Sequence, residues 1–164
     1  MPPRNLRARP TTDFAKENLF NVLNNIVDYE QLDVLDLFAG TGSISYEFAS
    51  RGARSVTSVE INAVHYDFIR RTIRQLGCDN VYAVKANAFL YVKSCPKQFD
   101  LIFSDAPYDL AGSEAIVDEV LGSDILREGG ILVFEHSGRK KFDENNHFWQ
   151  SRSYGSVTFS FFKK

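Results

Sequence analysis

Five apolar runs, separated by stretches with helical spacing, constrain the fold of this chain more than any other feature. Each run is short enough for a buried strand, and the stretches between them repeat apolar residues three and four positions apart. Alternation of strands and helices on this scale predicts a parallel sheet with helices on both faces. The predicted strands are Asp33–Phe38, Ser55–Ile61, Asn80–Lys85, Phe99–Ser104 and Gly130–Glu135, and the predicted helices are Ser43–Arg51, Ala63–Leu76, Ala88–Ser94 and Ser113–Gly122.

The two ends of the chain add a helix and an antiparallel strand pair. Capping side chains at Thr11 and Thr12, followed by apolar residues at helical spacing, predict a helix over residues 13–27. Ser153–Phe162 contains a turn signal and then alternating residues, which predicts a closing antiparallel pair. We therefore divide the chain into a basic extension, 1–12, and a single α/β domain, 13–164.

Composition excludes several classes of protein. With 164 residues, 44% of them hydrophobic and 24% charged, the chain is typical of one soluble globular domain. It has no apolar run of membrane-spanning length, and its first residues lack the apolar core of a secretion signal. Cys78 and Cys95 give neither metal-ligand spacing nor a disulfide framework. We expect a cytoplasmic monomer with no membrane association and no metal.

A loop with two glycines follows the first predicted strand. Gly40 and Gly42 lie before a helix, so backbone N–H groups and the helix N-terminus can face a ligand. A dinucleotide fingerprint would need a third glycine, and position 45 is serine. Asp36, beside this loop at the end of an apolar run, would repel a pyrophosphate but could pair with the ammonium of a methionyl group. The alternative for Asp36 is a loop cap.

Two further strand ends complete a candidate nucleoside site. Glu60 ends the second strand, where a carboxylate can accept both hydroxyls of a ribose, in NAD as well as in a methyl donor. Asn87 and Ala88 follow the third strand, where an amide and a backbone N–H could read an adenine edge or simply form a turn. The candidate cofactor-binding residues are Asp36, Phe38, Ala39, Gly40, Thr41, Gly42, Glu60, Ile61, Asn87 and Ala88.

The segment Asp105-Ala106-Pro107-Tyr108 distinguishes amino-group methylation from hydride transfer. The Asp105 carboxylate and the Ala106 carbonyl could each accept a hydrogen bond from one of the two N–H groups of an exocyclic base amine. Tyr108 could stack on a flipped-out base. Catalysis would then consist mostly of positioning for in-line transfer. The alternative is a strand end followed by a proline turn and a core tyrosine.

These motifs together resemble the RsmD family of bacterial 16S ribosomal RNA methyltransferases acting on guanine N2. The resemblance covers Arg9 to Phe162 and includes Arg9-Pro10-Thr11-Thr12-Asp13, a signature more specific to the family than the glycine loop. It implies a class I S-adenosylmethionine-dependent methyltransferase fold, with a seven-stranded, mostly parallel sheet and an antiparallel C-terminal strand. Two features depart from the family pattern: Ala106 replaces a usual proline, and only eight residues precede Arg9 where the family has a basic hairpin.

Contact with RNA would depend on local basic clusters, because the formal net charge is −2. The candidate RNA-binding residues are Arg4, Arg7, Arg9, Arg139, Lys140 and Lys141. The expected activity is methylation of guanine N2 in 16S ribosomal RNA, with S-adenosylmethionine as cofactor and ribosomal RNA or the small subunit as partner. The alternatives are methylation of adenine N6 or cytosine N4 in DNA, or of a protein glutamine amide, or a non-catalytic RNA-binding assembly factor.

Overall fold

A computed structural model describes residues 12–106, 112, 114–138 and 142–164. Seven strands form one sheet in the order β3-β2-β1-β4-β5-β7-β6, in which β1 to β5 run parallel and β7 is antiparallel to both β5 and β6. The strands are β1 (Asp33–Leu37), β2 (Ser55–Val59), β3 (Val81–Val84), β4 (Phe99–Ser104), β5 (Leu126–Ser137), β6 (Phe148–Tyr154) and β7 (Val157–Lys163). The helices are α1 (Asp13–Leu23), α2 (Ser43–Ser50), α3 (Ala63–Leu76), α4 (Ala88–Ser94) and α5 (Ala115–Leu121).

Alternate residues of the central strands feed two apolar layers, one on each face of the sheet. Val34 packs in the layer beneath α1 and α2, whereas Leu35 and Leu37 pack in the layer beneath α4 and α5. Because both faces are covered, every residue of β1 is buried. The predicted doubly covered parallel sheet and its closing antiparallel pair are confirmed.

Most element ends lie within two residues of the predictions, and three differ by more. The first helix ends at Leu23, and not at residue 27, because the chain then tightens into a turn in which the Ile26 N–H donates to the Leu23 carbonyl at 3.0 Å. β5 begins at Leu126, four residues early, and a register irregularity absorbs the extra length. β6 begins at Phe148, well before Ser153. Thr12 caps α1 as predicted, since its hydroxyl oxygen accepts from the Ala15 N–H at 3.2 Å.

Candidate active site

The candidate site lies at the carboxyl ends of β1 and β4. These strands are neighbours in the sheet but are separated in sequence by β2 and β3, so the chain winds outward from them in both directions. Ligands of open α/β sheets bind in the crevice at such a switch point. The Asp105 N–H lies 3.5 Å from the Leu37 carbonyl, which brings the two predicted loops side by side.

The loop after β1 has left-handed backbone at Phe38, Gly40 and Gly42, with φ angles of 57°, 59° and 84°. Gly42 caps α2, and a Cβ there would lie 2.5 Å from the hydroxyl of Tyr46. That hydroxyl donates to the Thr41 carbonyl at 2.7 Å, so the ring cannot easily move away. Burial raises the pKa of Tyr46 to about 12. Glycine at 42 is therefore required both by the backbone conformation and by the packing.

Glu60 ties the loop after β1 to the loop after β2. One carboxylate oxygen accepts from the Gly40 N–H at 2.8 Å, and the other accepts from the Asn62 N–H at 2.9 Å. A carboxylate has about four lone-pair sites, so acceptor capacity remains for ligand hydroxyls. Ile61, the next residue, is 58% exposed and presents apolar surface at the same rim.

Asp36 is buried within β1, as the fourth of its five residues, and does not end the strand. The Ser45 hydroxyl on α2 donates to its carboxylate at 2.6 Å and also contacts the Ser58 hydroxyl on β2. Burial raises the pKa of Asp36 to about 7, and the charge of Glu60 adds to that effect. A cation that enters the crevice would stabilise the charged form of this buried carboxyl group.

The third predicted strand end combines a cap with a buried contact. Asn87 is exposed, and its side-chain oxygen caps α4 by accepting from the Leu90 N–H at 3.1 Å. Ala88 is buried beneath the same helix. The cap uses one lone pair of the oxygen, so the amide NH2 of Asn87 and the second lone pair are left to face an adenine, and that role stays a prediction.

The reaction segment continues from β4. Ser104 of β4 pairs with Phe134 of β5, so Asp105 and Glu135 are the next residues along these two neighbouring segments. Asp105 is half-buried and Ala106 is 3% exposed. The other two predicted catalytic residues, Pro107 and Tyr108, lie outside the described residues, as do all six predicted RNA-binding residues: Arg4, Arg7, Arg9, Arg139, Lys140 and Lys141.

Sequence reasoning missed the side chains that support the loop. Ser45 was visible as the serine in place of a third glycine, but its bond to Asp36 depends on how α2 packs on β1. His65 carried no signal. It is buried on α3, and neither ring nitrogen has a hydrogen-bond partner among the described residues, while Nδ1 lies 3.8 Å from a Glu60 oxygen. Within the described ranges no cluster of three or more His, Cys, Asp or Glu is arranged to hold a metal ion.

The fold is that of class I S-adenosylmethionine-dependent methyltransferases. A putative methyltransferase of Escherichia coli matches with a TM-score of 0.82 and 22% identity, over 95% of this chain and 87% of that one. A T. thermophilus 16S rRNA N2 G1207 methyltransferase, in complex with AdoMet and guanosine, matches with a TM-score of 0.78 and 20% identity, over 96% of this chain and 45% of that one. No described helix is both long and apolar enough to cross a membrane.

The chain belongs to the family described as conserved hypothetical protein 95, whose model matches residues 2–163. Two curated relatives are named ribosomal RNA small subunit methyltransferase D. That of Haemophilus influenzae is 27% identical over 161 residues, covering 94% of this chain and 82% of the relative. That of Buchnera aphidicola subsp. Baizongia pistaciae is 29% identical over 127 residues, covering 77% of this chain and 64% of the relative. The predicted resemblance to the RsmD family is confirmed.

Proposed function

We propose that this protein is an S-adenosylmethionine-dependent methyltransferase that acts on guanine N2 of 16S ribosomal RNA in the small ribosomal subunit. The observation that carries the proposal is the bond from the Gly40 N–H to Glu60, which joins the glycine loop to the acid after β2, while the Asp105 N–H lies 3.5 Å from the Leu37 carbonyl just ahead of the same loop. The names of the curated relatives and the guanosine complex of the T. thermophilus enzyme support this choice of substrate.

The residues around the crevice fit the parts of this cofactor. Asp36 is a buried carboxyl whose described hydrogen-bond partner is the neutral Ser45, so an ammonium group beside it would stabilise its charged form. Glu60 retains lone pairs for ribose hydroxyls, and the exposed Ile61 offers an apolar surface to adenine. When bound, S-adenosylmethionine supplies an electrophilic sulfonium methyl group.

The remaining requirement is to position the target amine. The lone pair of an exocyclic base amine is delocalised into the ring, so the amine is a poor nucleophile. The Asp105 carboxylate and the Ala106 carbonyl would accept hydrogen bonds from its two N–H groups. These bonds would fix the orientation of the amine and increase its electron density. Tyr108 would stack on the flipped-out base, an assignment that rests on the sequence pattern alone. Most of the rate enhancement would then come from orientation.

Nucleoside analysis tests this proposal directly. Purified 16S ribosomal RNA and small subunits from cells lacking the protein are incubated with labelled S-adenosylmethionine, digested, and analysed by mass spectrometry. We expect N2-methylguanosine. Parallel incubations with DNA and with ribosomal protein test the alternatives. Label in adenine N6 or cytosine N4 of DNA, or in a protein glutamine amide, would indicate a different substrate for the same chemistry. Binding of RNA without turnover would indicate an assembly factor.

A further inference from the structure

Two aromatic rings lie together at the β6 edge of the molecule, away from the cofactor loop. Phe14, in the first turn of α1, is 64% exposed. Its ring meets that of Tyr154 edge to face, with centroids 6.1 Å apart and planes at 87°. Tyr154 in turn packs against Phe159 of the core, with centroids 6.2 Å apart. The Phe14 side chain is thus a large apolar ring that packs on Tyr154 at one side and is exposed to solvent at the other.

The strand register places this pair on the same rim as the candidate active site. Tyr154 pairs with Val157, and Val157 pairs with Ser137, the last residue of β5. β6 is three strands away from β4 in the sheet. At about 4.8 Å per strand, the pair lies roughly 14 Å from the level of Asp105. A single-stranded binding surface holds several nucleotides, so one bound strand could span that distance.

Exposed charged side chains of both signs, one basic and two acidic, lie near the rings. Arg152 is exposed two residues before Tyr154, on the same face of β6, and it donates to the Gln150 side chain at 3.0 Å. On α1, Asp13 and Glu17 are exposed. RNA would therefore be held at this surface by stacking on the face of the Phe14 ring more than by the local electrostatic field.

We propose that Phe14, supported by Tyr154, is a stacking surface for an unpaired base of the RNA substrate near the methylated nucleotide. This inference rests on the proposed function. Sequence-specific RNA proteins stack unpaired bases on aromatic side chains, and every base has a face that can stack. The arginines at positions 4, 7 and 9 lie five to ten residues before Phe14 in sequence, so phosphate contacts and a base contact would follow each other along the chain.

Salt titrations of RNA binding separate the two kinds of contact. Phe14→Ala should weaken binding to small-subunit RNA about 5- to 100-fold at every salt concentration, because base–aromatic stacking does not release counterions. Phe14→Tyr should bind like the wild type. Alanine at Arg4, Arg7 and Arg9 together should instead flatten the slope of log affinity against log salt, by about 0.7–0.9 for each phosphate that the variant no longer binds.

Tyr82→Ala is the matched control. Tyr82 is 55% exposed on β3, the edge strand at the opposite side of the sheet. The inference is overturned if Phe14→Ala binds RNA as tightly as Tyr82→Ala, or if it weakens S-adenosylhomocysteine binding equally, which would indicate a folding defect. A change of oligomeric state in Phe14→Ala, without a change in RNA affinity, would make the surface a contact between copies. If the wild type neither binds nor methylates RNA, the proposed function itself fails.

Discussion

The two ends of the parallel sheet hold their carboxylates in opposite ways. At the amino end, Asp33 accepts from Arg54 at 2.9 Å and from Arg127 at 3.2 Å, and Asp100 accepts from Arg127 at 2.7 Å. The hydrogen bond from Arg54 holds the pKa of Asp33 well below its usual range. This network joins β1, β4 and β5 at positions up to 94 residues apart in sequence.

At the carboxyl end, the partners are neutral. Asp36 accepts from a serine hydroxyl, and Glu60 accepts from two backbone N–H groups. Among the described residues, no arginine or lysine forms an ion pair with either carboxylate. The amino-end acids are thus balanced by the protein's own arginines, whereas Asp36 and Glu60 have neutral hydrogen-bond partners. The contrast separates carboxylates paired within the fold from those that we propose bind the ammonium group and the ribose hydroxyls of a cofactor.

The largest expected difference between the two ends is in rate. Asp105→Ala should reduce methyl transfer at least about 100-fold, because the reacting amine loses a positioning acceptor. Asp100→Ala, at the amino end, should leave the rate per folded molecule unchanged. Single-turnover kinetics with saturating cofactor and RNA measure both. Near wild-type turnover in Asp105→Ala would make Asp105 a structural cap.

The next effect is on cofactor affinity. Glu60→Ala should weaken S-adenosylhomocysteine binding about 10- to 150-fold, the range for a lost hydrogen bond to a charged group, and should also free the Gly40 N–H. Glu47→Ala is the control, since Glu47 pairs with Arg51 on the surface of α2. Isothermal calorimetry and the ligand-induced rise in melting temperature measure the effect. Stabilisation by a dinucleotide, but not by S-adenosylhomocysteine, would contradict the cofactor assignment.

Removing a carboxylate at the amino end of the sheet should lower the stability of the fold. Asp33→Ala should lower the free energy of unfolding by about 1–3 kcal/mol, because Arg54 and Arg127 lose a partly buried, charged acceptor. The affinity for S-adenosylhomocysteine should stay that of the wild type. Urea unfolding, with and without ligand, tests both statements. Weaker ligand binding by folded Asp33→Ala would show that the two ends are coupled.

A further effect concerns the pH dependence of stability. The pKa of Asp36 is raised to about 7 in the folded state, from 3.8 without burial. Between those values the folded chain keeps a proton that the unfolded chain has lost, so the Asp36 contribution to stability falls as the pH rises from about 4 to about 7. The slope is at most about 1.4 kcal/mol per pH unit.

Asp33 has the opposite sign. Its pKa is lowered by folding, so its contribution is present above about pH 4 and is lost as the pH falls further. Asp36→Asn should therefore flatten the stability profile between about pH 4 and 7, and Asp33→Ala should flatten the acid limb. Urea unfolding over a pH series distinguishes these outcomes. An unchanged profile in Asp36→Asn would show that another group titrates there.

Much of the fold could be predicted because its signals are local. The alternation of strand and helix patterns indicated β1 to β5, and a turn signal indicated the closing pair, although β6 begins at Phe148 and not at Ser153. The cap at Thr12 marked the start of α1 to the residue. Element ends were harder. The apolar pattern continues through Ile26 and Val27, and both side chains still pack on the core, but they do so from a turn and not from a helix.

The candidate site divides along the same line. The sequence by itself determined the order of the elements, the glycine loop and the polar residues near the ends of the strands, since spacing along the chain encodes them. Only the tertiary structure decided that Glu60 holds the Gly40 N–H from 20 residues away and that Ser45 holds Asp36 inside the sheet. These contacts join residues from different strands and helices. Their geometry follows from how the elements pack, and no local pattern in the sequence records it.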